Sequence, residues 1–304
     1  MTAISKAFLQ VTKSTFKSNN ISCAATLYKP REPKQELLPA ILMIHGWGGV
    51  QNALTGNFYK RFVEAGFAVM SFDYAGWGES EGEPRNEINP WQRVRDAEHA
   101  LAHLKRQSGI DTNRIVLWGT SFGGGHVVDL AARHPELMGA IAQVPMLDGL
   151  AAATSVPIPQ ALRLGMYAFA DLVRFKNPVY IPVVGALGEL STMDRDGAHK
   201  AMMLGIQEAG LKYDNRVTAR SVLTMGFYRP FKRLKQIRIP TLLIGADNDT
   251  VAPFVEHKIR EQNNPLISIR RIINANHFEP YFEPALTQNL AFQLEFLESL
   301  MSNQ

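Results

Sequence analysis

Ile115-Val116-Leu117-Trp118-Gly119-Thr120-Ser121-Phe122-Gly123-Gly124-Gly125-His126 is the stretch on which the reading of this chain turns. Four apolar residues predict a short buried strand, and the run from Gly123 to His134 predicts a helix. Between them stands Gly-x-Ser-x-Gly, centred on Ser121. A serine on a sharp strand-to-helix turn projects its hydroxyl above the sheet, and side chains two residues either side would collide with neighbouring backbone. The following helix aims its first N–H groups at the same place, where they favour negative charge.

A serine hydroxyl is a poor nucleophile until a base takes its proton, and that base is commonly a histidine held by a carboxylate. Of eight histidines, His277 is the candidate, in the loop Asn274-Ala275-Asn276-His277-Phe278 past the last expected strand. Sites in such sheets assemble at the carboxyl ends of parallel strands. Two acids follow the expected strand Thr241–Gly245, and Asp249, with Pro253 at an expected helix start, is favoured over Asp247. Asp148 is a third geometric candidate, with helix entry as its plainer role. The chain order is then Ser, Asp, His. For the developing oxyanion, Phe122 N–H follows the nucleophile, and the run His45-Gly46-Trp47-Gly48-Gly49 after another strand offers Trp47 N–H.

Outward from this centre, strands and helices alternate. Val11–Lys17 and Ile21–Tyr28 read as an antiparallel pair turned at Asn19-Asn20. Ala40–Ile44, Phe67–Phe72, Ala140–Val144 and Ile267–Ile273 read as further strands. Asn52–Ala65, Pro90–Gln107, Pro253–Gln262 and Pro284–Leu300 read as helices, with Asn89 as an N-cap before Pro90. Continuous apolar strands between amphipathic helices imply an α/β fold with a mostly parallel sheet covered on both faces. The alternation fails between Pro145 and about Gly226, a stretch too long for a connection and too apolar for a disordered linker. The expected organisation is a core of residues 1–145 and 226–304, interrupted by a helical cap insertion of residues 146–225.

Composition sets the outer bounds. With 304 residues, 46% apolar and 20% charged, the chain has the material of a sizeable globular core. The net charge of +4 is mild. The basic run Arg229, Lys232, Arg233, Lys235 and Arg238 reads as a solvated turn, because no nucleic-acid motif accompanies it. The one cysteine, Cys23, excludes an intrachain disulfide framework and reads as a small core residue. Met1 to Lys13 lacks the apolar region of a signal peptide, and no segment reaches the ~18 apolar residues of a membrane span. A cytoplasmic enzyme without membrane or nucleic-acid partners is the expectation, with a homo-oligomer left open. His99 and His103 stand at i, i+4, a spacing able to hold a metal, but no third ligand is evident; no metal is assigned. His126 reads as a satisfied, partly buried histidine or a donor behind the site.

These pieces together resemble the α/β-hydrolase superfamily: His45–Gly49, Phe72–Gly82, Trp118–Gly125, Gly245–Pro253 and Asn276-His277-Phe278. The extension through Gly123-Gly124-Gly125-His126 is similar to bacterial carboxylesterases, dienelactone-hydrolase-like proteins and fungal polyketide transferases. Dienelactone hydrolases proper carry cysteine where this chain has Ser121, so that activity is not carried over. The glycine common before the family histidine is Asn276 here. The resemblance implies an eight-stranded sheet, no cofactor, and a cap inserted after the sixth strand, whose Met146, Leu162, Met166, Tyr167, Phe169, Met202 and Met203 are candidate pocket residues. The expected function is hydrolysis of a small-molecule carboxylic ester by Ser121, His277 and Asp249. Acyl transfer, carbon–carbon bond hydrolysis, and ligand binding without turnover remain alternatives.

Overall fold

The computed structural model of the protein describes residues 8–174 and 177–302. The start of the N-terminal stretch read for a signal peptide therefore lies outside the described residues. The chain opens with β1 (Leu9–Ser18) and β2 (Ile21–Pro30), paired antiparallel. Asn19 and Asn20 make the turn with φ of 46° and 66°, a conformation that asparagine tolerates better than most residues. There follow β3 (Leu38–Ile44), α1 (Gly56–Glu64), β4 (Ala68–Phe72), α2 (Pro90–Lys105), β5 (Ile110–Thr120), α3 (Phe122–Ala131) and β6 (Gly139–Gln143).

An inserted segment then carries α4 (Gly149–Thr154), α5 (Ile158–Val173), β7 (Tyr180–Pro182), α6 (Ala198–Ala209), β8 (Arg216–Thr218) and α7 (Ser221–Met225). The chain returns through a 3-10 turn, Pro230–Gln236, to β9 (Thr241–Ala246), α8 (Glu256–Arg260), β10 (Ile267–Ile272) and α9 (Ala285–Ser302). Eight strands form one sheet in the order β1-β2-β4-β3-β5-β6-β9-β10. It is antiparallel from β1 to β4 and parallel beyond. This is the α/β-hydrolase fold.

Strands β3, β4, β6 and β9 are buried along their whole length, as a sheet covered on both faces requires. Alternate side chains feed two cores. Leu42, Ile44, Met70 and Leu117 meet Val94, Leu101 and Leu104 of α2 and Val127 of α3. Ile41, Met43, Val69 and Trp118 meet Phe58 and Phe62 of α1 and Leu290 and Leu297 of α9. Each such side chain contributes roughly 1.5–3 kcal/mol by leaving water. Cys23 is one of these core residues, and burial pushes its thiol up to about 12. At the start of α2 the Asn89 side chain accepts from Trp91 N and Gln92 N at 3.1 Å each.

Two sequence expectations need correction. The helix expected from Asn52 begins only at Gly56, because Asn52 and Leu54 adopt positive φ (68° and 61°) that no right-handed helix admits. The helix expected over Pro253–Gln262 is the five residues of α8; Pro253 lies before it, in chain organised by the Asp249 side chain. Besides its helices the inserted segment holds one short antiparallel pair, β7 with β8, Tyr180 opposite Thr218. Among the described residues no helix is long and apolar enough to cross a membrane.

Candidate active site

Ser121 sits between β5 and α3 with φ 56° and ψ −123°. A non-glycine residue held there carries strain of order 1–3 kcal/mol, and the surroundings fix it. Its N–H donates to Gln143 O at 3.0 Å, and its carbonyl accepts from Met146 N at 2.9 Å. A Cβ on Gly119 would press on the backbone of Gly123, and one on Gly123 on the carbonyls of Ile44 and His45. The two motif glycines are therefore places where backbone meets backbone.

His277 follows β10 and is buried, as are Ser121 and Asp249. Its Nε2 lies 2.9 Å from Ser121 Oγ, and its Nδ1 lies 2.6 Å from Asp249 Oδ2. A carboxylate only accepts. Nδ1 therefore carries the proton and donates to Asp249, leaving Nε2 to accept from the serine hydroxyl. The other carboxylate oxygen accepts from Val251 N at 2.9 Å and Ala252 N at 2.7 Å. Asn276, in place of the glycine common in the resembling family, accepts from Phe278 N at 2.8 Å and Glu279 N at 3.1 Å. It thereby builds the turn that presents His277.

The loop after β3 lies directly on the nucleophile. A Cβ on Gly46 would stand 3.0 Å from Ser121 Cβ and 3.1 Å from Thr120 O. This puts the Gly46–Trp47 peptide beside Ser121, with Phe122 next in the chain. The Trp47 indole is anchored outward, donating to Thr192 Oγ1 at 2.9 Å and packing edge-on against Phe122 at 5.2 Å.

Other sequence candidates go elsewhere. Asp247 pairs with Arg271 of β10, and Asp148 caps α4 and pairs with Arg229 at 2.6 Å, so neither meets His277. His99 and His103 lie beside β1, His99 Nδ1 3.0 Å from Ser18 Oγ and His103 Nε2 2.9 Å from Ser14 Oγ. His126 is fully buried behind Phe122, not partly, and is not fully satisfied: Nδ1 meets Tyr228 OH at 2.9 Å while Nε2 has no partner among the described residues. Burial first, then Arg93 and His45, holds its pKa well below the ordinary value. Arg229 of the basic run pairs with Asp148, and Arg233 with Asp129 at 3.2 Å.

An apolar cavity of about 80 Å³ opens beside Ser121, walled by Met146, Leu164, Met193, Val222, Met225 and Val251, with Thr192 and Arg195 as polar members. A smaller gap of about 30 Å³ lies between Ser121, His277, Gly46 and Met202. Of the pocket residues expected from sequence, Met146 and Met202 line these spaces. Leu162, Met166 and Phe169 are two-thirds exposed and Tyr167 is exposed too, while Met203 packs on the core. The reason is a rotation of α5 that sequence periodicity left undetermined: Leu164, not Leu162, faces the serine.

One residue escaped notice altogether. Arg93 is buried, stacked on the rings of Tyr74 and Trp77 at 4.3 and 4.9 Å, and donates to the Gly46 carbonyl at 3.0 Å. The signal was present, since position 93 falls in the helical row of the buried Ala97, Ala100 and Leu104.

Comparison with known proteins agrees with this architecture. Residues 35–264 match the family model Hydrolase_4, serine aminopeptidase S33. The chain is 32% identical over 289 residues to the quorum-quenching protein AidA of Acinetobacter baumannii, covering 94% of each. It is 28% identical to a thiohydrolase of Eupenicillium brefeldianum, over 75% of each. The crystal structure of the α/β-hydrolase GrgF from Penicillium sp. sh18 superposes with a TM-score of 0.77 over 97% of this chain and all of that one, at 22% identity, a likeness of fold.

Proposed function

This chain belongs to the serine aminopeptidase S33 family of α/β-hydrolases, and from that premise we propose that it is a serine hydrolase of carboxylic esters, working through an acyl-enzyme without a cofactor. One observation carries the reading: the relay of 2.9 Å from Ser121 to His277 and 2.6 Å from His277 to Asp249, placed on a strained elbow.

Ser121 Oγ attacks the ester carbonyl while His277 Nε2 takes its proton. Asp249 holds the imidazole in the accepting tautomer and stabilises the imidazolium. The N–H groups of Trp47 and Phe122 meet the developing oxyanion, worth about 3–4 kcal/mol for one such donor in comparable sites. His277 then returns the proton to the leaving alcohol. A water, activated by the same imidazole, cleaves the acyl-enzyme; the 30 Å³ gap beside His277 has the volume of about one water. We assign the inserted segment as a cap, since its Leu164, Met193 and Met225 wall the larger cavity. At about 80 Å³ that cavity is far below the ~300–1,000 Å³ of drug-sized sites. Its apolar walls suit a short acyl chain.

Acyl transfer is the second reading, favoured by a relative named a polyketide transferase. The same acyl-enzyme serves it, with an alcohol or amine replacing water.

The test is turnover of short aryl esters by wild type and Ser121→Ala. The variant is expected to keep its circular dichroism and lose on the order of 10⁴–10⁶ in kcat. Undiminished turnover overturns the assignment. Product analysis with a competing alcohol then separates hydrolysis from transfer.

A further inference from the structure

Helix α5 wears its amphipathicity inside out. The residues it turns inward are Gln160, Leu164, Ala168 and Asp171. Gln160 donates to Glu189 O at 2.9 Å, and Asp171 accepts from Val179 N at 2.8 Å and pairs with Arg220 at 2.8 Å. These polar anchors fix the rotation of the helix. What it shows to water is apolar: Ile158 is 76% exposed, Leu162 66%, Met166 66%, Phe169 67% and Val173 70%. A surface helix of a monomer shows the opposite pattern. Arg163 is the one exposed charge within α5, and it bends aside to Gly188 O.

We propose that α5 is the interface of an isologous homodimer, packing antiparallel on its own copy about a two-fold axis between Gly165 and Met166. The outer row is nearly palindromic about that point. An antiparallel copy sets Ile158 against the partner's Val173, Leu162 against the partner's Phe169, and Ala161 against the partner's Ala170. At the centre Met166 meets the partner's Gly165. Nothing lies within 4 Å of where a Cβ on Gly165 would be, so the flexible methionine has an open hole to fill. Members of each outer pair are also matched in exposure, which a surface made for itself requires.

The area is of the right order. Five large side chains, each about two-thirds exposed or more, are joined by half-exposed Leu172 and by Leu187 in the loop held by Arg163. That face exceeds the few hundred Å² a monomer ordinarily leaves bare, and approaches the ~800 Å² each partner gives to a stable interface. A membrane surface would be served by a cationic rim, which α5 lacks. Because Leu164 on the inner side of this helix walls the cavity at Ser121, the dimer seam and the pocket roof are two faces of one element.

Sedimentation of the full chain tests the proposal. At tens of micromolar it should run at twice its 33.9 kDa mass. Met166→Arg should weaken association on the order of 100-fold, as loss of a central contact does, with unchanged circular dichroism. The register has its own test. The double variant Leu162→Cys, Phe169→Cys should form a covalent dimer under copper-phenanthroline oxidation. Either cysteine alone should not, since each then faces no thiol across the axis; the native Cys23 is buried and silent. A monomer at these concentrations, a dimer indifferent to Met166→Arg, or equal cross-linking by the single variants overturns the proposal. So does a monomer that instead sediments with anionic phospholipid vesicles.

Discussion

Arg93 Nη1 donates to the carbonyl oxygen of Gly46 at 3.0 Å. In a trans peptide the C=O and the next N–H point in opposite directions. A guanidinium gripping the Gly46 carbonyl therefore orients and polarises the Trp47 N–H, the donor proposed for the oxyanion. Burial lowers Arg93 only to about 10, so it stays charged at neutral pH. Its Nε and Nη2 have no hydrogen-bond partner among the described residues, and two aromatic rings offset the charge by up to about 2 kcal/mol each. Arg93→Met is expected to cost roughly 10–100-fold in kcat, less than outright loss of an oxyanion donor, with KM little changed. Affinity for a boronic acid that mimics the tetrahedral state should fall in parallel. A KM effect with normal boronate affinity would mean that Arg93 is structural only.

The two acids after β9 separate by experiment. In Asp249→Asn the new amide donates to His277 Nδ1 and pushes the ring proton onto Nε2, which can then no longer accept from Ser121. A fall of about 10³–10⁴ in kcat is expected. Asp247→Asn removes an ion pair with Arg271 that is partly exposed, worth about 1 kcal/mol or less. Its kcat should be near wild type. Comparable losses in both variants would remove Asp249 from its assigned role.

Much of the fold was legible because its signals are local. A buried strand, a turn glycine and an amphipathic helix each declare themselves within a dozen residues, and their alternation sets the sheet. Ser121, Asp249 and His277 were legible for the same reason, each marked by a strand end. Asn52 and Leu54 were missed because their left-handed backbone is imposed by packing, Leu54 lying under Gly205 of α6. The pocket was the least legible part. Leu164 of α5, Met193, and Val222 and Met225 of α7 come from separate pieces of the inserted segment, and only tertiary packing brings them to Ser121. Helix α5 misled because its amphipathicity is inverted, with Gln160 and Asp171 on the inner row and apolar side chains outside, so the apolar row of the sequence did not mark the pocket side.

The elbow glycines give a stability prediction. In Gly123→Ala the added methyl meets the carbonyls of Ile44 and His45, backbone that cannot yield without moving β3 and the oxyanion loop. A loss of about 3 kcal/mol or more is expected, at the severe end for overpacking, together with activity. Gly165→Ala, on the open face of α5, is the control: it should gain about 1 kcal/mol of helix propensity in the isolated subunit. Urea unfolding at a concentration low enough to keep subunits apart checks both. A Gly123→Ala protein as stable as wild type would mean that this contact is relieved more easily than the packing implies.

The buried imidazoles give a pH dependence with a definite sign. Burial, with Arg93 beside it, depresses His45 from 6.5 to about 3, and burial with the same arginine depresses His126 well below 6.5. In the unfolded chain both bind a proton near pH 6.5; in the folded protein neither does until the pH is far lower. The unfolded state therefore takes up more protons as the pH falls, and stability drops from about pH 6.5 downward, by about 1.4 kcal/mol per pH unit for each histidine once well below that value. For His45 the loss levels off near 3. Unfolding free energy measured by urea between about pH 6 and about pH 5, where ordinary carboxylates are still mostly ionised, should fall steeply. His126→Gln removes one of the two titrating groups and loses the Tyr228 hydrogen bond at every pH. It should lower stability at neutral pH yet reduce the slope by about 1.4 kcal/mol per pH unit. An unchanged slope in that variant would show that His126 protonates within the fold as readily as in the unfolded chain.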